Sequence, residues 1–337
     1  EVVADYPNRY EILRKPEGFQ APRPITRRHG DYFARMENDP STSSTLRIRL
    51  AAARRMWENF TVFMQGGAQF DALVFDTEEW MLDVNRQAIQ ALRGVAYPAD
   101  LPVILVINPS GVFKDNLNAS VAEIRIAIEQ ALPRLGLNKD TARVLHIQLA
   151  GRGTRNEPFT HALGLGGKHL IVNPGLVSYM ARTILESCQF RLAEPGWILR
   201  ANDQMLLSTN ATLFDGRAEG LVTCGVREHI TDEMLSHADH AMRNNCLIKT
   251  DAAGRILVAR EKPRVVGNDT TNPDGLAFYK DAEGRAAMSF FVRRYTPAGI
   301  DALMRHFTVR APGGTPVYLA ARLSENSILV GGSTFTD

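Results

Sequence analysis

Hydrophobic and polar positions alternate in blocks along this chain, and the blocks predict elements. From Thr45 to Met64 the apolar residues Leu46, Ile48, Leu50, Ala53, Met56, Trp57 and Phe60 recur at helical spacing, with a start signal at Ser43 or Ser44. Trp57 and Phe60 read as packing residues. Phe70 to Phe75 then reads as a strand, and Asn85 to Leu92 as a helix stopped by Gly94 and Pro98. Val103 to Ile107 is almost wholly apolar, as expected inside a parallel sheet. Ala119 to Leu132 places Val121, Ile124, Ile128 and Leu132 on one side of a helix, and Val144 to Leu149 is a third strand.

Strand, helix, strand, helix, strand at this spacing predicts an α/β fold with a doubly wound, mostly parallel sheet. Ligands of such sheets bind beyond the carboxyl ends of the strands. The loops after Phe75, Ile107 and Leu149 are therefore expected along one edge. Further on, Leu176 to Cys188 reads as a helix and Trp197 to Arg200 as a strand. Strands follow at Gly220 to Gly225, Asn244 to Thr250, Ile256 to Ala259, Arg285 to Val292 and Ser327 to Val330, with a helix at Pro297 to His306. Asp251-Ala252-Ala253-Gly254 suits a hairpin turn. No internal repeat is read. Residues 1–45, rich in Pro, Arg and polar residues, read as an extended arm. The expected division is an arm and helix over 1–60 and one α/β domain over 61–337.

Composition narrows the class. With 337 residues, 45% hydrophobic and 23% charged, the chain is long enough and apolar enough for a large core. The net charge of +2 demands neither nucleic acid nor an anionic membrane, and no apolar run approaches a membrane span. Cys188, Cys224 and Cys246 lack metal-ligand spacing and an even disulfide framework, which fits a reducing, cytoplasmic setting. No local signature marks any of them as a nucleophile. His229, His237 and His240 are close in sequence, but a fourth strong ligand for zinc is not nearby. Asp76, Glu78 and Glu79 read as a solvated acidic loop, with ribose hydroxyls as the alternative ligand.

The richest chemistry lies after Leu149. Gly151 and Gly153 let the backbone approach a ligand, and their amides can form an anion site. Arg155 brings a planar fork for phosphate, and Lys168, after Gly166-Gly167, brings a point charge.

Taken in order, Leu149-Ala150-Gly151-Arg152-Gly153-Thr154-Arg155, Pro158 and Lys168 resemble the signature loop of sugar-1-phosphate nucleotidyltransferases. Thr250-Asp251-Ala252-Ala253-Gly254-Arg255 with Glu261-Lys262-Pro263 is similar to that family's D-x-x-G-x … E-K-P hairpin, Asp203 to its metal-binding aspartate, and Phe335-Thr336-Asp337 to its late strand with a second aspartate. Phe70-Asp71-Ala72-Leu73-Val74 and Asn108-Pro109-Ser110-Gly111 most resemble the fucose-1-phosphate guanylyltransferase branch. The likeness runs from about Phe70 to Pro263, more thinly to Asp337, and does not reach residues 1–60.

The resemblance implies a GT-A or Rossmann-like nucleotidyltransferase core that joins a sugar 1-phosphate to a nucleoside triphosphate, GTP in the nearest branch, and releases pyrophosphate. It implies Arg155, Lys168 and Asp203 as catalytic residues. It implies Gly111, Ser120, Gly151, Gly153, Thr154 and Lys262 as phosphate- or nucleotide-binding residues, and Mg²⁺ held by Asp203 and Asp337. The chain also departs from the family. Where the family has the nucleotide loop G-x-G-G-S-T, this chain has Asp115-Asn116-Leu117-Asn118-Ala119-Ser120, and only Ser120 matches in kind. Ala150 replaces the usual first glycine. Two other readings follow: a related fold that binds a nucleotide or partner without catalysis, and a metal-dependent glycosyltransferase. For the latter, Asn202-Asp203-Gln204 supplies one acid of the expected D-x-D.

Overall fold

The computed structural model describes residues 9–20, 22, 28–67, 69–108, 116–149, 178–190, 192–202, 214, 220–238, 240, 242, 246–261, 263–306, 308–310, 317–319 and 327–330. Two compact units are distinguished: residues 2–196 with 200–215, and residues 197–199 with 216–337.

The first unit is built on β2 (Ala72–Glu78), flanked in parallel by β3 (Val103–Asn108) and β4 (Arg143–Gln148). Val74 lies opposite Ile104 on one side and His146 on the other. Residues 72–77 of β2 and 103–106 of β3 are all buried; the β3 segment is wholly apolar, whereas β2 carries Asp76 and Thr77 inside the core. Helix α3 (Leu82–Ala91) links β2 to β3, and α4 (Asn116–Ile126) precedes β4. The helix continues past α4 as a wide π-type turn over Ala127–Ala131, just before Pro133. Side chains alternate across a strand. Asn85 of α3 donates to Thr77 Oγ1 at 2.7 Å, while the next residue back, Asp76, points to the opposite face. The fold is therefore α/β with a parallel core, and the strands after which ligand loops were expected do end along one edge.

Strand β5 (Gly196–Ala201) is flanked by hydrogen bonds to the β4 region, from Gly196 N to Ala142 O at 3.1 Å and from Asn202 N to Gln148 O at 3.2 Å. Helix α5 (Tyr179–Ser187) begins at Ser178, whose hydroxyl accepts from Ala181 N at 3.1 Å.

The N-terminal region differs from an extended arm. β1 (Tyr10–Leu13) pairs antiparallel with β3, Tyr10 opposite Val106. It closes an edge that would otherwise offer unpaired backbone groups. Arg86 holds β1 through Glu11 at 2.7 and 2.6 Å, and buried Arg93 donates to Leu13 O at 2.5 Å. Arg28–Asn38 forms α1, in which Phe33, Met36 and Glu37 make a short, half-buried stripe at helical spacing. α2 (Ser44–Met64) starts where the sequence indicated: Ser43 Oγ accepts from Leu46 N at 3.3 Å. Its buried stripe is Leu50, Ala52, Met56, Phe60 and Phe63, whereas Leu46 and Ile48 face solvent. Half-buried Trp57 packs edge-on against Phe60 at 5.7 Å.

The second unit is largely antiparallel. β6 (Leu221–His229) pairs with β9 (Arg285–Tyr295), and β7 (Cys246–Thr250) pairs with both β8 (Ile256–Glu261) and β9. β12 (Ser327–Val330) runs parallel to β6, and β10 (Thr308–Arg310) pairs with β11 (Val317–Leu319) in a separate antiparallel sheet. A small core gathers Ile230, Leu235, Leu247, Leu276, Tyr279 and Ala286. The short helix α6 (Asp232–Ser236) ends before His237, so His237 and His240 do not share a helix. Helix α7 (Pro297–His306) has the expected bounds, and its Gly299 abuts Gly220: a Cβ there would lie 1.7 Å from Gly220 O.

The expected hairpin at Asp251 is present, and it has a twin. In Asp251-Ala252-Ala253-Gly254-Arg255 the aspartate carboxylate accepts from Ala253 N at 2.9 Å and Arg255 N at 2.8 Å. In Asp281-Ala282-Glu283-Gly284-Arg285 it accepts from Glu283 N at 3.0 Å and Arg285 N at 2.8 Å. Gly254 and Gly284 take φ of 81° and 74°, which side chains rarely adopt. This five-residue D-A-x-G-R turn is a local repeat that the sequence reading missed.

At the amino ends of β2 and β4 a clamp sets the register. Asp71 accepts from Arg143 N at 2.8 Å, Nε at 3.0 Å and Nη2 at 2.8 Å, and Asp71 N donates to Arg143 O at 2.8 Å. Burial pushes the Asp71 carboxyl up, but the donors of Arg143 outweigh it and hold it below the usual range. A depressed folded-state pKa adds stability above the unfolded value, near 3.9, and that stability is lost as pH falls through the folded value. Asp71→Asn is expected to cost about 1–2 kcal/mol at pH 7 and to flatten the fall in stability below about pH 4. Urea unfolding at pH 7 and pH 3 measures both effects.

Candidate functional site

β2 is the first strand of the parallel core, with β3 on one side and β4 on the other. Strand order therefore reverses between β2 and β4, and their carboxyl ends form a topological switch point. Val74 is paired with His146, so Val74, Asp76, His146 and Gln148 share one face. Helix α4 covers that face, and Ser120 and Glu123, three residues apart, meet it.

Asp76, Glu123 and His146 converge there, with one ligand-capable atom from each lying within 4.8 Å of the others. All three are at most 1% exposed. His146 Nε2 faces Glu123 Oε2 at 3.7 Å. Burial pushes the imidazole pKa down to about 3, so His146 is neutral at ordinary pH. Leu149 N donates to Asp76 Oδ1, and Gln148 Nε2 donates to Ser120 Oγ. Among the described residues this is the one group of three such side chains that can hold a metal ion.

A second buried network supports the end of β5. Arg182 Nη2 and Thr183 Oγ1 both donate to Asn202 O at 3.3 Å. Glu186 joins Arg182, Nε to Oε1 at 3.4 Å, to fully buried Arg200, which donates to its other carboxylate oxygen. Arg200 also donates to Thr183 O at 3.3 Å. Helix α5 thus fixes the carbonyl immediately before Asp203.

Of the residues singled out from the sequence, Ser120 is described. It sits buried in α4, its hydroxyl engaged with Gln148, and the segment from Asn116 to Ser120 is helix rather than loop. Gly111, Gly151, Gly153, Thr154, Arg155, Lys168, Asp203, Lys262 and Asp337 lie outside the described residues. Asp76 does not belong to a solvated loop. It is buried within β2, while Glu79 is surface-exposed and pairs with Arg9 at 3.2 Å. Cys188 and Cys246 are buried, and burial pushes the Cys188 thiol pKa up, against a thiolate nucleophile. The described helices include none long and apolar enough to cross a membrane.

Sequence reasoning missed Glu123 and His146. The available signal was a lone charged or polar residue inside an apolar block, Val-Leu-His-Ile in β4 and Val-Ala-Glu-Ile in α4. No protein-family model matches the chain, and no curated protein matches it.

The α5 network generates a stability test. Glu186→Ala leaves two buried guanidiniums without their shared carboxylate and is expected to cost about 3 kcal/mol or more. Glu186→Gln, which keeps the shape and one acceptor, is expected to cost less. Urea midpoints of the two variants and the parent measure the difference.

Proposed function

We propose that this chain is a sugar-1-phosphate nucleotidyltransferase with a doubly wound, Rossmann-like catalytic core. The observation that carries the reading is the origin of the glycine stretch. Residues 150–168 leave β4 at the switch point, and the amide of Leu149, the last residue before them, is fixed by Asp76. An anion-binding segment leaving that edge suits a phosphate chain.

In this reading a phosphate oxygen of the sugar 1-phosphate attacks the α-phosphorus of the nucleoside triphosphate, GTP by resemblance, and pyrophosphate leaves. The nucleophile is already ionised, so catalysis is positioning and charge stabilisation. The amides of Gly151 and Gly153 cradle the departing phosphates, with Thr154 beside them. Arg155 and Lys168 offset phosphate charge, and Lys262 faces the sugar phosphate. Gly111 and Ser120 belong to the nucleotide side. Mg²⁺, which the resemblance assigns to Asp203 and Asp337, would supply further charge neutralisation. The α5 network supports this assignment, because it anchors the carbonyl next to Asp203. The reading places the enzyme in the cytoplasm, in nucleotide-sugar biosynthesis.

One observation favours a second reading, binding without catalysis. The positions of the family's glycine-rich nucleotide loop are occupied here by the first turns of α4, whose Ser120 faces inward.

A pyrophosphate-exchange assay separates the readings. With Mg²⁺, labelled pyrophosphate and a panel of nucleotide sugars including GDP-fucose, the enzyme reading expects labelled triphosphate. Lys168→Ala and Asp203→Asn are expected to lower the rate about a hundredfold or more with the fold retained. Nucleotide binding without exchange on any substrate favours the second reading. Full activity in Lys168→Ala overturns the site assignment.

A further inference from the structure

Asp76, Glu123 and His146 come from β2, α4 and β4, three elements far apart in sequence. We propose that they form a site for one divalent transition-metal ion of the manganese-to-zinc series, bound by the His146 imidazole and the two carboxylates.

The donor set selects the ion. Magnesium and calcium prefer oxygen ligands alone, whereas one imidazole with two carboxylates suits Mn²⁺, Fe²⁺ or Zn²⁺. Geometry is close to what such an ion needs. The three donor atoms lie within 4.8 Å of one another, and the Nε2 of His146 faces the Glu123 carboxylate at 3.7 Å. An ion with bonds of about 2.1 Å holds neighbouring donors about 3 Å apart, so small side-chain rotations close the site. Two buried carboxylates this near each other repel when both are ionised, and a dication between them reverses that term. Asp76 is already oriented, because Leu149 N–H holds its Oδ1.

The site lies at the root of the glycine stretch rather than on it. A bound ion ties α4 to the ends of β2 and β4, and through Asp76 it fixes the backbone at Leu149. It is distinct from the Mg²⁺ assigned to Asp203 and Asp337, and it stands whether or not the chain transfers nucleotides.

The test uses the full chain stripped with a chelator and dialysed. Mn²⁺ binding is read from loss of the free-ion electron paramagnetic resonance signal, Zn²⁺ binding by competition, and bound metal by elemental analysis. The expected result is one ion per chain, a raised melting temperature on loading, and no displacement by excess Mg²⁺. His146→Gln and Glu123→Gln are each expected to weaken binding at least tenfold while circular dichroism stays unchanged. A folded parent chain that binds neither Mn²⁺ nor Zn²⁺ overturns the proposal, and that measurement needs no variant to fold. Binding that is unchanged in both variants overturns it as well. Pyrophosphate exchange is a separate readout, so the two proposals fail independently.

Discussion

β2 has no face toward water. Its residues from Ala72 to Thr77 are almost wholly enclosed, and one of them is a carboxylic acid. A carboxylate in such a place is costly unless polar partners surround it. Asp76 therefore constrains its neighbours: the end of β4 must present the Leu149 amide beside it, and α4 must lie over the same face with its polar edge inward. The opposite face of the strand is handled separately, by the Asn85 to Thr77 hydrogen bond. The position from which the chain leaves β4 follows from these requirements.

The parallel core was legible because strands buried on both faces must be apolar throughout, and Val103 to Ile107 could hardly be read otherwise. The bounds of α7 were legible for a different reason: Pro297 opens it and its pattern is strictly helical. β1 was not legible, because four residues at a sheet edge carry too little pattern, and its identity depends on a partner far along the chain. In α1 the apolar stripe is only two side chains wide. For the site, glycine and lysine spacing pointed to one segment, but for the buried trio the sequence offered only isolated polar residues in apolar blocks, with nothing to join them. Positions 76, 123 and 146 acquire meaning only once β2 and β4 are paired and α4 is laid across them. Asp76 was misread because three acids within four residues resemble surface, whereas β2 is enclosed on both faces through Thr77, which buries the first of them and leaves Glu79 outside.

The second unit uses a different economy. Its twin D-A-x-G-R turns each spend one aspartate to satisfy the backbone donors of a tight reversal, with a glycine at the one position needing positive φ. Each arginine returns to its own aspartate, Arg255 at 2.7 Å and Arg285 at 3.3 Å. The same local solution thus initiates β8 and β9. The turn is self-contained, which is why the first copy could be recognised from five residues alone.

The antiparallel pairing of β1 with β3 has a consequence for biosynthesis. β1 leaves the ribosome about 90 residues ahead of the strand it must pair with. At typical elongation speeds that is a wait on the order of ten seconds. Throughout that interval Tyr10, Ile12 and Leu13 have no partner strand, so this nascent segment is a natural place for a holdase to grip.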